Sequence, residues 1–275
     1  MEKKTLVACC GAPGVYAEEA ARRMLDGAEF LYFRDFESVA RAVTGGLVEY
    51  GVLPVENSLA GSVLPVYDLL QRERVRIAKA VRVRIEHVLL AAGGVGIADI
   101  REVASHPQAL AQCGRFFDRH SGVAAVSVAS TATAAQRLAS SGRRDAAAIA
   151  SRRCARLYGL EVLSEDVQDA VYNVTRFICI TKTLKADLDG NRITLLLTLA
   201  HRPGALHGLL GKFAEIGVNL TKIESRPIPG SDFEVRFILD FEASALSLPV
   251  RGLLADLEHA PEVSGCELLG IYRET

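Results

Sequence analysis

Residues 181–192 read Thr181-Lys182-Thr183-Leu184-Lys185-Ala186-Asp187-Leu188-Asp189-Gly190-Asn191-Arg192. The stretch is mostly polar, carries a turn signal at Asp189-Gly190-Asn191, and reads as a linker between two regions of different pattern. After it, residues 193–199 read as a strand and His201-Arg202-Pro203-Gly204 as a loop. Residues 205–216 read as a helix whose apolar face is Leu206, Leu209, Leu210 and Phe213, at helical spacing. Strands are expected at 220–226 and 233–241, flanking the turn Pro229-Gly230-Ser231, with Phe233, Val235, Phe237 and Leu239 alternating inward. A helix at 248–257 and a strand at 266–272 follow. The order β-α-β-β-α-β is a ferredoxin-like unit of about 80 residues. It buries one sheet face under two helices and leaves the other free for a partner.

Before the linker, short apolar runs alternate with helix-length amphipathic stretches. Strands are expected at 5–10, 30–33, 50–53, 75–90, 102–105, 123–128, 146–150 and 177–180. Helices are expected at 18–25, 37–43 (introduced by Asp35), 108–119 and 131–140. Strands alternating with helices predict an α/β fold with mostly parallel sheets.

The whole chain has 275 residues, enough for about two domains. Hydrophobic residues make up 49% and charged residues 24%, the balance of a globular protein rather than a disordered, collagen-like or coiled-coil chain. A net charge of -1 gives no electrostatic argument for a nucleic-acid or membrane-surface partner. Mean hydropathy is +0.19, yet no apolar run approaches the roughly 18 residues of a membrane helix. Lys3 and Lys4 before Thr5-Leu6-Val7-Ala8-Cys9 mimic a lipoprotein cleavage site, but the apolar segment is shorter than the roughly 7–15 residues a signal needs. It reads as the first strand, and a cytoplasmic location is expected. Cys9, Cys10, Cys113, Cys154, Cys179 and Cys266 form no CxxC pair and no zinc spacing, and the histidines form no HExxH pair. No metal site and no cofactor are expected.

Several motifs fail on inspection. Gly93-Gly94-Val95-Gly96 lacks the third glycine of a dinucleotide fingerprint, and Gly208-Leu209-Leu210-Gly211-Lys212 sits inside a helix with the wrong spacing for a phosphate loop. Arg72, Arg74, Arg76, Arg82 and Arg84 read as the solvated faces of edge strands more readily than as an anion groove.

Four segments are harder to dismiss. Pro54-Val55-Glu56-Asn57-Ser58-Leu59-Ala60-Gly61-Ser62 follows a strand, where open α/β sheets bind ligands. Asn57 and Ser58 can orient a carboxylate or hydroxyl, or simply cap the helix near Val63. Ser105-His106-Pro107-Gln108 and Ser130-Thr131-Ala132-Thr133 sit at strand-to-helix junctions, as plain caps or as anion sites. Asn173-Val174-Thr175-Arg176-Phe177 places an amide, a hydroxyl and a guanidinium at the start of a strand. Arg176 can grip a carboxylate with charge-assisted bonds worth about 1.5–3 kcal/mol each, with Thr175 beside it as a proton donor. A surface arginine in an edge strand is the bland alternative.

In this order and over nearly the whole chain, these segments resemble the prephenate dehydratase family with its C-terminal ACT domain. The resemblance rests on residues 11–21, on Gly51-Val52-Leu53-Pro54-Val55-Glu56-Asn57-Ser58 with Gly61-Ser62-Val63, on Ser105-His106-Pro107-Gln108-Ala109-Leu110, and on Asp169 through Phe177. In the last part it rests on Arg202-Pro203-Gly204-Ala205-Leu206 and on Asn219-Leu220-Thr221-Lys222-Ile223-Glu224-Ser225-Arg226-Pro227. The same architecture serves arogenate dehydratase. The family's first loop usually has Thr or Ser where Val15 stands, and Ser or a near equivalent where Ala17 stands. These two departures bear on substrate preference or on rate.

The resemblance implies a catalytic domain over residues 1–183, built as two α/β lobes like type 2 periplasmic binding proteins. Lobe 1 spans about 1–79 and 160–183, lobe 2 about 80–159, with the active site in the cleft between them. An ACT regulatory domain covers 192–275. Prephenate, or arogenate, is the implied substrate. The roles implied are Thr175 as donor, Arg176 as carboxylate anchor, Asn57 and Ser58 as orienting groups, Phe177 as pocket wall, and Asn173 and Glu56 as supports. An isolated threonine is a very weak acid, so it acts through a hydrogen bond or relays a proton from water. Phenylalanine is the implied effector, at Gly204, Ala205, Leu206, Asn219 and Leu220 across a subunit interface, with Glu224, Ser225, Arg226 and Pro227 coupling that site to the catalytic lobes. Homo-oligomers, dimers assembled into tetramers, are implied. The near-zero charge is then expected to fit a small anion held by one or two placed arginines. A non-catalytic amino-acid sensor is the reading from another class.

Overall fold

A computed structural model describes residues 4–165, 167–228, 230 and 234–275. In chain order the elements are β1 (Thr5–Cys10), α1 (Tyr16–Met24), β2 (Ala28–Phe33), α2 (Phe36–Thr44), β3 (Tyr50–Asn57), β4 (Gly61–Ser62), α3 (Leu64–Arg72), β5 (Arg76–Arg84) and β6 (Val88–Ala91). Next come β7 (Glu102–Ser105), α4 (Pro107–Ala111), α5 (Gly114–Arg119), β8 (Ala124–Ser127), α6 (Thr131–Ser141), β9 (Ala146–Ala150), α7 (Arg152–Tyr158), β10 (Glu161–Ser164) and β11 (Val174–Thr181). The chain closes with β12 (Arg192–Leu199), α8 (Ala205–Glu215), β13 (Leu220–Pro227), β14 (Val235–Glu242), α9 (Leu248–Leu257) and β15 (Val263–Glu274).

These elements form two compact units, one of residues 1–67 and 81–177, the other of residues 68–80 and 178–275. In the first unit, β1 lies between β2 and β3 and is parallel to both. Val7, Ala8, Cys9, Val52 and Leu53 are fully buried there, as are Ala20, Ala21, Val39 and Ala40 of α1 and α2. Asp35 starts α2 by accepting from the Ser38 amide, as the sequence predicts. A second sheet in the same unit has the order β10-β6-β9-β7-β8. Its core holds Leu89, Val103, Leu110, Phe116 and Ile149.

In the second unit, β12 runs antiparallel between β14 and β15, and β13 pairs with β14. The observed order of elements is the β-α-β-β-α-β read from the sequence. Leu195, Leu209, Phe213, Leu239, Phe241 and Leu253 form its core. Phe213 and Phe241 meet edge to face at 5.2 Å.

The structure departs from the sequence reading at identifiable places. Strand 50–53 continues to Asn57, so Asn57 ends a strand instead of sitting in a loop. The run 75–90 splits into β5 and β6. Helix 108–119 breaks into α4 and α5, because the Asp169 carboxylate accepts from the Gly114 and Arg115 amides and starts a second helix there. Residues 161–164 form β10, too short to give a pattern. β10 pairs with β6, so the chain stays with the second sheet to Ser164, later than the expected crossing near 160. Residues 68–80 join the C-terminal unit because β15 pairs in parallel with β5, Arg273 opposite Lys79 and Glu274 opposite Ala80. Val235, expected to face inward, is 37% exposed. Lys3, Pro229, Ser231 and Phe233 lie outside the described residues. Arg72, Arg76 and Arg84 are ion-paired with Glu73, Glu267 and Glu86. No helix among the described residues is long and apolar enough to cross a membrane.

Candidate active site

The sequence Cys10-Gly11-Ala12-Pro13-Gly14 turns the chain from β1 into α1, and Gly14 sits at φ +92. A Cβ there would stand 2.9 Å from Cys154 Sγ, so a side chain is excluded by both backbone angle and space. The turn delivers Val15, Tyr16 and Ala17 to one wall of a cavity of about 310 Å³ in the first unit. The opposite walls come from Asn57 at the end of β3, His106 and Gln108 at the start of α4, Ser130 and Thr131 at the start of α6, and Thr175 and Phe177 on β11. Val15 and Ala17, the two departures noted in the sequence, therefore stand on the wall itself.

A chain of amides borders this cavity, meeting it at Asn57 and Gln112. Asn57 Oδ1 accepts from the backbone amides of Leu59 and Ala60, both at 3.0 Å. That fixes which end of the amide points inward. Asn57 Nδ2 then donates to Asn173 Oδ1 at 2.7 Å and to Thr175 Oγ1 at 3.0 Å. Asn173 Nδ2 donates onward to Gln112 Oε1 at 3.0 Å. Because Thr175 Oγ1 accepts from Asn57, its own proton is left to be donated into the cavity. Gln112 also lines the cavity, and among the described residues nothing accepts from its NH₂ group.

Ser58 plays a different part from the one expected. It is exposed and outside the cavity lining; its Oγ accepts from the Val174 amide at 3.0 Å, while its amide donates to Val174 O. The two bonds tie the start of β11 to the β3–β4 turn, which sets the height of Thr175. Glu56 lies opposite Ser62 in the hairpin and does not line the cavity. Arg176 is buried, 7% exposed, but alternation along β11 turns it to the face opposite Thr175 and Phe177. It is not among the residues lining this cavity. The structure thus brings Asn57, Asn173, Thr175 and Phe177 together, and leaves Arg176, Ser58 and Glu56 outside.

Among the described residues no arginine, lysine, aspartate or glutamate lines the cavity, where one or two placed arginines were expected. Negative charge there meets helix amino ends instead. Ser130 caps α6, its Oγ accepting from the Thr133 amide at 3.0 Å, and the other first-turn amides have no partner inside the helix. His106 caps α4 with Nδ1 accepting from the Gln108 amide, and burial lowers its pKa. His87 is 3% exposed, and burial first, then the nearby His106, pull its pKa down to about 4. Burial, with Asp35 nearby, pushes the Cys10 thiol up to about 11. Burial therefore favours the uncharged form of Cys10, His87 and His106 on this wall. His87 and Gln112 carry no local sequence signal: neither belongs to a motif, and only the fold joins them to the Asn57 network. Among the described residues no group of three or more His, Cys, Asp or Glu is placed to hold a metal.

The second unit has its own cavity, about 410 Å³, at the start of α8. It is lined by His201, Arg202, Pro203, Ala205 and Leu206, with Glu234, Val235 and Phe237. Gly204 caps α8 at φ +84. Asn219 and Leu220 are not part of this lining. Glu224 pairs with Lys222 at 3.7 Å, Ser225 and Pro227 lie exposed on β13, and Arg226 makes a two-pronged pair with Asp68, at 2.8 and 2.6 Å.

Over residues 7–185 the chain matches the model of the family described as prephenate dehydratase. It is 38% identical to arogenate dehydratase/prephenate dehydratase 1, chloroplastic, of Arabidopsis thaliana, over 98% of this chain and 72% of that one. It is 35% identical to the bifunctional N-acyl-homoserine lactone acylase/prephenate dehydratase of Komagataeibacter europaeus, over 99% and 97%. Among solved structures, prephenate dehydratase in complex with L-Phe from Arthrobacter aurescens is 30% identical with a TM-score of 0.86, covering 98% of this chain and 90% of that one.

Proposed function

The chain belongs to the prephenate dehydratase family, a family of hydro-lyases, and from that premise we propose that the cavity of the first unit converts prephenate to phenylpyruvate, water and carbon dioxide. The observation that carries this reading is the Asn57–Thr175 hydrogen bond, which leaves the threonine proton free to be given. The ring carboxylate departs as carbon dioxide, its electron pair forms the aromatic ring, and the ring hydroxyl leaves with one added proton as water. Aromatisation drives the reaction. Thr175 Oγ donates to the departing oxygen and recovers its proton from water. Gln112 NH₂ and the amino ends of α1 and α6 hold substrate oxygens, and Phe177 walls the ring. Arg176 acts from behind the strand, not on the substrate.

The two sheets of the first unit correspond, in this reading, to the two lobes of a periplasmic-binding-protein-like catalytic domain, residues 1–183. The β-α-β-β-α-β unit, residues 192–275, is an ACT domain that takes phenylalanine at Gly204, Ala205 and Leu206 in a homo-oligomer, with Asn219 and Leu220 supplied across a subunit interface. A relative whose structure is described in complex with L-Phe supports it. A cytoplasmic setting goes with this reading.

Arogenate is the second substrate to consider, because Val15 and Ala17 remove hydroxyls from the wall and several relatives are named arogenate dehydratases. The deciding experiment is steady-state turnover of purified protein with each substrate, with and without phenylalanine. Phenylpyruvate formation from prephenate, with the higher kcat/KM, supports the proposal. A higher kcat/KM for arogenate moves the assignment to that substrate, and no turnover of either leaves a sensor.

A further inference from the structure

We propose that His87 is a positioning residue that acts through Gln112, holding its NH₂ group toward the substrate; this rests on the dehydratase reading of the cavity. The Leu59 and Ala60 amides can only donate, so the atom of Asn57 facing them is the oxygen. Asn57 Nδ2 therefore meets Asn173, whose facing atom must be Oδ1. Asn173 Nδ2 then meets Gln112, whose facing atom must be Oε1. Reversing any one amide sets two donors or two acceptors against each other at the next.

His87 Nε2 lies 3.3 Å from that same Gln112 Oε1. An oxygen that only accepts requires a proton on Nε2, so two backbone amides dictate the histidine tautomer from the far end of the chain. Nδ1 is left without a proton, and among the described residues no hydrogen-bond donor reaches this buried atom. A proton on Nδ1 would be buried with no acceptor, which agrees with a pKa of about 4. The ring is held in place from outside the network. The His87 amide donates to Gln168 Oε1 at 3.0 Å, and the ring meets Tyr16 edge to face at 6.0 Å. Gln112 Oε1 is thus clamped by two donors, and among the described residues nothing accepts from its NH₂, which is left for substrate.

Two measurements test this. In ¹⁵N-labelled protein, the imidazole shifts of His87 are expected to show the proton on Nε2 near neutral pH. In kinetics, His87→Leu is expected to lower kcat/KM about tenfold, as a misplaced positioning group does, and His87→Gln, which keeps a donor at the Nε2 position, to restore most of it. In a Gln112→Ala background His87→Leu is expected to cost nothing further, within about twofold. A merely structural histidine would lower both backgrounds equally. An equal loss in both, or shifts placing the proton on Nδ1, overturns the proposal. The tautomer is read without substrate and Thr175→Ala is read without touching His87. Full turnover in Thr175→Ala together with an Nε2 proton would sink the donor reading alone.

Discussion

Asn57 Nδ2 lies 3.0 Å from Thr175 Oγ1 and donates to it, although the two residues are 118 positions apart in the chain. A threonine hydroxyl has one proton and can accept as well. Supplying an acceptor bond from one side commits the proton to the other side, here the cavity.

The first prediction follows from that commitment. Thr175→Ala is expected to lower kcat by about 10²–10⁴, the range for a lost proton donor, with a smaller change in KM. Thr175→Ser keeps the hydroxyl and should keep most of the turnover. Asn57→Asp should resemble Thr175→Ala, because a carboxylate would accept the threonine proton and turn it away from substrate. Phenylpyruvate absorbance measures all three.

Much of this was legible in the sequence, and the illegible part has a physical cause. Asn57 and Thr175 each stood in a motif at a strand boundary, so residue type and position pointed to them. The facing of Arg176 was legible in principle: period-two alternation turns it away from Thr175, but the charge of the side chain outweighed the register in that reading. His87 could not be found, since one histidine in a run of β-branched residues has no pattern. The break between α4 and α5 was hidden as well, because its cause, Asp169, lies 55 residues beyond Gly114. Likewise, the place of residues 68–80 depends on pairing with the far end of the chain.

Arg176 supplies the second prediction. It is buried on the far face of β11 and engaged with partners within the fold. Arg176→Met is expected to destabilise the protein by about 1–3 kcal/mol, the cost of leaving the buried groups that the guanidinium engages unsatisfied. KM for prephenate in the folded protein should change by less than about threefold, since the guanidinium does not line the cavity. Chemical unfolding and steady-state kinetics separate the two effects. A large rise in KM with unchanged stability would return Arg176 to the substrate.

His87 gives a prediction in pH. Its folded pKa, about 4, lies below the ordinary 6.5, so the unfolded chain takes up its proton first as pH falls. Stability is unaffected above about pH 6.5 and is lost between there and about pH 4. Between pH 7 and 4.5 the loss from this one group is about 2–3 kcal/mol. His87→Gln removes the titration, so its stability should fall less than that of the parent by this amount. Urea unfolding at the two pH values measures it. Parallel declines in parent and variant would mean that the ring is not held neutral.

Glu18 is a buried carboxylate with partners to lose in acid. Its carboxylate is 3% exposed and accepts from the Gly14 amide and Tyr32 OH, both at 2.8 Å, from Arg22 at 3.1 and 2.8 Å, and from Arg153 at 2.7 Å. Burial raises its pKa, but the bonds from Gly14, Tyr32 and Arg22 and the charge of Arg153 outweigh burial and hold it below the usual value. Its contribution is therefore present above the unfolded pKa and lost as pH falls through the folded one. The two arginines differ in what they join. Arg22 lies one turn along α1 from Glu18, whereas Arg153 belongs to α7, which also reaches the same loop through Tyr158 OH to Pro13 O at 2.7 Å and Ser151 Oγ to Gly14 O at 3.3 Å. That loop sets Val15, Tyr16 and Ala17 on the cavity wall. Arg153→Met is thus expected to raise KM severalfold, while Arg22→Met, which removes as many charges from Glu18, leaves KM nearly unchanged. Equal effects on KM would mean that the cluster steadies α1 alone and does not set the wall.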